Sequence, residues 1–340
     1  GTLDMATIQF REVTGEEDGM RLDRWFKEHY PGLSFGQLQK LMRTGQVRVD
    51  GKRAKTNSRV IKGQQVRIPP LATDEKSQSA APKRAMPRVD ENDADFLRSI
   101  LLYEDKDIYV FNKPAGLAVQ AGSGLTRHMD GMLEALTDKH GQKPRLVHRL
   151  DRDTSGVLVV ARKRSIATAL TKAFRERSTQ KTYWALVRGV PKPKQARVST
   201  YLAKYQAEDG DRMRIARHGD NGAQHAVTHY SVVDQVGQKL SWLTLKPVTG
   251  RTHQLRVHTA YMECPILGDP KYFNVENWEF PGGIQKKLHL HARRIRIPHP
   301  KGGILDVTAP LPPHMQQSWN LLGFDVSNYD PDIEEELGEE

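Results

Sequence analysis

The sequence predicts an α+β protein, with a small N-terminal α/β module followed by a larger domain on a mixed, largely antiparallel β-sheet with flanking helices. Three observations predict it. From Ile100 onward, short β-branched and aromatic runs outnumber helical periodicities, the pattern of strands that are not each followed by a helix. The first 70 residues carry two helical repeats and a hairpin turn of their own. Between them lies a stretch rich in Ala, Pro, Ser and charge, including Ala80-Ala81-Pro82-Lys83-Arg84, the composition of a linker. The expected units are a module at 8–70, a flexible linker at 71–97, a main domain at 98–318 and an acidic tail at 319–340.

In the N-terminal module, Met20, Leu22, Trp25 and Phe26 predict a helix from Gly19 to Tyr30, stopped by Pro31-Gly32. Ser34 is a good N-cap for a second helix carrying Phe35, Leu38, Leu41 and Met42 and ended by Gly45. Val47 to Arg53 reads as a strand entering an Asp50-Gly51 hairpin turn. Val60 and Gln65-Val66-Arg67-Ile68 complete the module. Lys40, Arg43, Arg48, Lys52, Arg53, Lys55 and Arg59 gather around one helix and one hairpin, where cations can follow phosphates across a shaped RNA surface.

In the main domain, Ile108 to Phe111, Gly156 to Ala161, Tyr183 to Val187, Tyr230 to Val233 and Leu243 to Leu245 read as strands. Helices fit Leu133 to Lys139 and Ile166 to Arg175. The acidic end from Asp330 to Glu336 is expected to be disordered.

At 340 residues the chain suits about two domains, at roughly 100–200 residues each. A mean hydropathy of −0.64 with 27% charged residues describes a well-solvated protein, and no apolar run reaches membrane-spanning length. The net charge is +11; eight acids and no Lys or Arg fall between 321 and 340, so the remainder carries +19. Such a surface favours a polyanion. Cys264 is the single cysteine, which excludes an intrachain disulfide and fits a reducing compartment. The opening Gly1-Thr2-Leu3-Asp4-Met5 has no basic stretch or apolar core of a signal peptide, and Met5 is the expected native start.

The run His148-Arg149-Leu150-Asp151-Arg152-Asp153-Thr154-Ser155-Gly156 sets a carboxylate, Asp151, between two arginines at the rim of a buried strand. A cation beside it favours the ionised form. Other chemistries fail on detail. Asp153-Thr154-Ser155-Gly156 has its glycine one place late for an aspartic protease loop and no second copy to supply the partner acid. His289 with His291, and His253 with His258, match no usual zinc frame, so no metal is expected. Ser155 lacks a nucleophile elbow, and Lys113-Pro114-Ala115-Gly116 is too short for a phosphate loop.

The same run resembles the signature of RluA-type pseudouridine synthases. Asn112-Lys113-Pro114-Ala115-Gly116-Leu117, Lys181 to Gly189 and Pro247 to His258 resemble that family's other blocks, in the same order. Gly122-Ser123-Gly124-Leu125 with Arg152-Asp153 looks most like its RluC branch. In the N-terminal module, Arg21-Leu22-Asp23, Ser34 and Gly45 to Gly51 are similar to the S4 RNA-binding domain.

The resemblance implies the pseudouridine synthase fold and isomerisation of uridine without a cofactor. By the same resemblance Asp151 is the catalytic carboxylate, Arg256 its partner and Tyr183 the residue beside the target base. Arg149 would fill the space of an everted base or hold its phosphate. His148, Arg251 and Lys113 join the substrate-side list, with His148 ordering its loop rather than shuttling protons. If Thr252 to His258 is extended, Thr252, Gln254, Arg256 and His258 share one face. The implied partner is structured RNA, foremost large-subunit ribosomal RNA or its assembly intermediates, met by a cytoplasmic monomer. The rivals are transfer RNA as substrate, a non-catalytic RNA-binding assembly factor, and an RNA-cleaving nuclease.

Overall fold

The computed structural model describes residues 8–71, 91–122 and 127–329. The chain divides into a unit ending at Arg88 and one beginning at Val89. The smaller unit contains β1 (Gln9–Glu12), α1 (Leu22–His29), α2 (Phe35–Arg43), β2 (Arg48–Val49), β3 (Lys52–Arg53) and β4 (Gln65–Ile68). Its four-stranded sheet has the order β1-β4-β2-β3.

Local chemistry fixes these elements. Ser34 and Gln37 form a reciprocal capping box: the Gln37 N–H donates to Ser34 Oγ at 3.2 Å and the Ser34 N–H to Gln37 Oε1 at 2.9 Å. Asp50 and Gly51 both take positive φ, 49° and 75°, as a primed hairpin turn demands. Helix α1 is shorter than expected. Residues 19–22 instead run as backbone bridges, with the Gly19 N–H donating to Val60 O at 2.7 Å and the Leu22 N–H to Ser58 O at 2.8 Å. Met20, Leu22, Trp25, Phe26, Leu38, Met42, Val47 and Val66 fill the core.

The larger unit opens with α3 (Glu91–Ser99), β5 (Leu101–Glu104), β6 (Ile108–Lys113), α4 (Met129–Met132), a 3-10 turn (Leu133–Leu136), β7 (Arg145–Leu146), β8 (Ser155–Ala161) and α5 (Arg164–Arg175). It continues with β9 (Gln180–Arg188), β10 (Gln195–Ala207), β11 (Gly210–Ala216), β12 (Gln224–Val236), β13 (Leu240–Pro247) and α6 (Gln254–Tyr261), then β14 (Leu290–Pro298), β15 (Ile304–Thr308) and α7 (Pro313–Leu322). Eleven strands make one sheet with the main order β11-β10-β12-β13-β9-β14-β8-β6-β5, flanked by β15 on β14 and β7 on β8. Among the described residues β14 and β8 form its one parallel pair.

Every residue of β8 is buried, which is why Val157 to Ala161 reads as an uninterrupted apolar run. Gly156 has φ 118°, and a Cβ there would lie 2.1 Å from Ala292 O. Only glycine lets β8 and β14 approach, which explains the end of the motif in physical terms.

Three expected boundaries differ. Residues 91–97 of the expected linker belong to helix α3, because Leu97 is fully buried and Phe96 packs beside it. The expected helix at Leu133 to Lys139 is α4 plus the 3-10 turn, ending at Leu136. The expected border at 318/319 falls inside α7, because Trp319 is fully buried and Phe324 packs on the same cluster. Ser123 to Thr126, the linker's 72–90 and the tail from Asp330 lie outside the described residues.

Candidate active site

Asp151 stands in the turn that leads into β8, and the Thr154 N–H closes that turn on Asp151 O at 3.1 Å. The turn is tied to the end of β6. The Gly116 N–H donates to Arg152 O at 2.9 Å, and Lys113 Nζ donates to Arg152 O, Pro114 O and Leu117 O at 2.7–2.9 Å. At the other end of the turn, Ser155 Oγ lies 2.8 Å from His291 Nδ1, across the β8–β14 pair. A carboxylate on so anchored a turn is held in place before any substrate arrives.

Opposite it lies Arg256. Its guanidinium makes a fork with Asp269, Nε to Oδ2 at 2.9 Å and Nη2 to Oδ1 at 2.8 Å. The remaining Nη1 reaches Asp151 Oδ2 at 3.4 Å. Asp269 is completely buried and Arg256 is 6% exposed, whereas Asp151 keeps 35% of its side chain open. One acid therefore locks the cation and the other meets the cavity. Burial opposes the guanidinium's charge, but the bonds and charge of Asp269, then the charge of Asp151, outweigh it and raise its pKa. Gly268 permits this geometry: φ is 79°, and a Cβ there would lie 2.0 Å from Lys287 O.

Arg256 arrives on a helix, α6, and not on the extended segment expected from Thr252 to His258. On a helix Gln254 and His258 share a face while Arg256 turns roughly 200° away from Gln254. Gln254 Nε2 donates to Val227 O and Thr228 Oγ1, both at 2.9 Å. The His258 ring lies between Thr200 and Thr228 hydroxyls at 2.9 and 2.8 Å. Six consecutive residues, Gln254 to Thr259, are buried. A helix covered on all sides shows no amphipathic period, so its alternation of types mimics a strand.

A cavity of about 590 Å³ unites these groups; Asp151, Tyr183 and Arg256 line it together with Arg149, Lys181, Arg251 and His253. Tyr183 sits on β9 between Leu245 and Ala292. Burial, then the charge of Asp151, pushes its phenol well above the ordinary tyrosine value, so the hydroxyl stays protonated. Arg149 is exposed at the cavity. Arg251 is half-buried and donates Nε–H to His225 O at 3.0 Å.

In the smaller unit, taken by itself, Lys40, Arg43, Lys52 and Arg53 are exposed. Arg48 is half-buried and donates to Gly45 O and Gly51 O, both at 3.1 Å, which gives it a share in holding the hairpin. Among the described residues, Asp105, Asp107 and His299 are the one acid and histidine group whose ligand atoms lie close together. None of the three lines the cavity, and Asp105 is already bonded to Tyr103, His299 and two backbone N–H groups. No helix among the described residues is long and apolar enough to cross a membrane.

Residues 107–261 match the RNA pseudouridylate synthase family and residues 20–66 the S4 domain. The chain is 35% identical over 325 residues to ribosomal large subunit pseudouridine synthase C of Salmonella typhi, covering 93% of this chain and 97% of that one. This chain belongs to the RNA pseudouridylate synthase family. The synthase is also 36% identical over 314 residues to the protein of the same name from Escherichia coli K12, covering 90% and 93% of the two chains. Its structure resembles human RNA pseudouridylate synthase domain containing 4 with a TM-score of 0.58 and 32% identity, over 68% of this chain and 96% of that one.

Of the expected substrate-side list, Lys113 has another role in the synthase, while His148 lines the cavity with its ring held by its own neighbours. Lys113 is fully buried and spends its N–H groups on three carbonyl oxygens, so it builds the Asp151 turn and does not meet RNA. Burial draws its pKa down to about 7, against the charges of Asp153 and Asp151. His148 accepts the Val159 N–H on Nε2 at 2.8 Å and stacks on Phe174 at 4.5 Å. Burial, with the charge of Lys181, pushes its pKa down to about 3, so it orders the loop as a neutral ring.

The sequence reading missed Asp269, Lys181, His253 and Tyr272. Lys181 and His253 stood inside blocks already singled out, and both line the cavity. Asp269 carried one usable signal, a lone acid behind a glycine, in Leu267-Gly268-Asp269-Pro270.

Proposed function

We propose that this synthase isomerises specific uridines of large-subunit ribosomal RNA to pseudouridine, with Asp151 acting at the ribose, Arg256 holding it and Tyr183 against the base. The observation that carries the reading is the chain of contacts from buried Asp269 through Arg256 to half-open Asp151, inside a cavity that also holds Tyr183. The reaction breaks the C1′–N1 bond, turns the base, joins C5 to C1′ and releases the C5 proton. A carboxylate serves the first step either by attacking C1′ or by removing a sugar proton. Both routes need it fixed beside the sugar, which Arg256 and the Lys113-bound turn provide. The protonated Tyr183 offers a ring face for stacking and a hydroxyl for hydrogen bonding.

The target must leave its stack to enter, and Arg149 at the cavity's edge is placed to hold the everted nucleotide's phosphate or take its space. Lys40, Arg43, Lys52 and Arg53 of the S4 domain, with Arg251 beside the cavity, add phosphate contacts that position without reading sequence. The named relatives act on the large ribosomal subunit by their titles, which favours that RNA over transfer RNA. The reading is of a monomer, working in the cytoplasm where ribosomal RNA is met.

The test is tritium release from large-subunit RNA carrying C5-tritiated uridine, with wild type beside Asp151→Asn. Release by wild type alone supports the reading. No release from that RNA, with release from transfer RNA, would replace the substrate; none from either would leave a binding factor.

A further inference from the structure

His253 stands at the entrance to α6 and lines the cavity, with a left-handed backbone of φ 54° and ψ 19°. That conformation is uncommon for a residue with a Cβ and points to a local demand on the side chain. Its Nδ1 lies 2.6 Å from the Tyr272 hydroxyl. The same hydroxyl accepts the Met213 N–H at 2.9 Å, and the Arg256 guanidinium lies over the Tyr272 ring at 5.2 Å.

This geometry favours one tautomer. A phenol has one proton to give, and among the described residues the acceptor facing it is His253 Nδ1. A neutral ring that accepts at Nδ1 carries its proton on Nε2. Burial, supported by Arg256 and Lys271 and opposed by Asp151 and Asp269, lowers the imidazole pKa, which favours the neutral ring. The cavity is thereby furnished with one fixed neutral N–H donor, beside an acid and a cation that are already occupied with each other.

Breaking C1′–N1 leaves the bond's electron pair on the base, where it spreads over N1 and the two ring carbonyl oxygens. A donor preset against one of those oxygens stabilises the departing base more than the bound uridine. We propose that His253 donates its Nε2–H to a uracil carbonyl oxygen as the glycosidic bond opens, and that Tyr272 is the positioning residue that fixes this donor. His253 keeps its proton throughout, so the step adds no acid or base to the balance. The inference rests on the reading of this cavity as the uridine site.

The test compares three RNAs, with uridine, 2-thiouridine or 4-thiouridine at the target, because sulfur is a weak acceptor. Pseudouridine or its thio product is measured by nucleoside chromatography under saturating, single-turnover conditions. On uridine RNA, His253→Ala is expected to lower the rate about 10–100-fold, in the range of losing one preset donor, with RNA affinity unchanged. On one of the two thio RNAs that ratio should shrink to within about 3-fold, identifying the oxygen that is contacted. Tyr272→Phe, which keeps the ring beneath Arg256, should show the same pattern at smaller amplitude. His253→Gln, which returns an N–H near the Nε2 position, should recover part of the loss. Equal losses on all three RNAs, or a defect confined to RNA affinity, would overturn the proposal. Wild type failing on plain uridine RNA would instead overturn the reading beneath it.

Discussion

Replacing Asp269 by Asn separates what holds Asp151 from the chemistry proposed for Asp151. Asp269 is fully buried and forked to a 6% exposed Arg256, and it also accepts the Lys271 N–H at 2.9 Å. The amide keeps the shape and one acceptor oxygen but removes the charge that compensates a buried guanidinium. Breaking one side of a buried pair costs about 3–5 kcal/mol, and Asn should fall near the lower end. For a unit of this size, at roughly 2–4 °C per kcal/mol, the melting temperature should drop by about 6–12 °C. Arg256 would then turn to Asp151 for its second contact, so tritium release at saturating RNA should fall at least about 10-fold, by the loss of a preset geometry. The double variant Asp269→Asn with Arg256→Gln removes both charges and should regain much of the melting temperature while staying inactive. An Asp269→Asn protein that melts and turns over like wild type would refute the reasoning, as would a double variant less stable than either parent.

Gly156→Ala should cost at least about 3 kcal/mol, from positive φ and overlap with Ala292 O together, and soluble expression with a normal urea midpoint would contradict it. Burial holds His258, His289 and His291 down to about 4 and His148 to about 3. Because the unfolded rings take protons from about pH 6.5 downward while the folded ones do not, stability should fall between pH 6.5 and 4, by up to about 1.4 kcal/mol per pH unit for each ring. Urea midpoints at pH 7.5 and 5 check this, and equal midpoints would argue against neutral burial. Removing residues 1–70 should weaken RNA binding and lower the slope of log K against log salt by on the order of 3, given the four exposed cations Lys40, Arg43, Lys52 and Arg53 assigned to phosphate contacts; filter binding across a potassium chloride series measures it, and an unchanged slope would assign the module elsewhere.

The parts that were legible in the sequence are those written in a few adjacent residues. Ser34 with Gln37, Asp50-Gly51 and the apolar run after Gly156 each satisfy their own backbone, so their structure is local. Asp151 was legible for the same reason, since its motif is one turn and the start of one strand. Asp269 was not, because its partner lies 13 residues away across a helix and a loop, and the one local signal, an acid behind a glycine, does not say that the acid will be buried. The helix carrying Arg256 was misread because complete burial erases the periodicity that distinguishes a helix from a strand. The resemblance of its block alone puts Lys113 on the substrate side; the folded turn shows three carbonyl oxygens converging on it.

Strand β14 lies between β8 and β9, yet it is synthesised more than a hundred residues after either. During translation, the strands around β8 and those around β9 must wait as separate half-sheets, one bearing Asp151 and the other Tyr183. Each half presents an open edge until residues 290–298 emerge and join them. A chain whose synthesis stalls between β9 and β14 would therefore carry both Asp151 and Tyr183 but lack the strand that joins their two half-sheets.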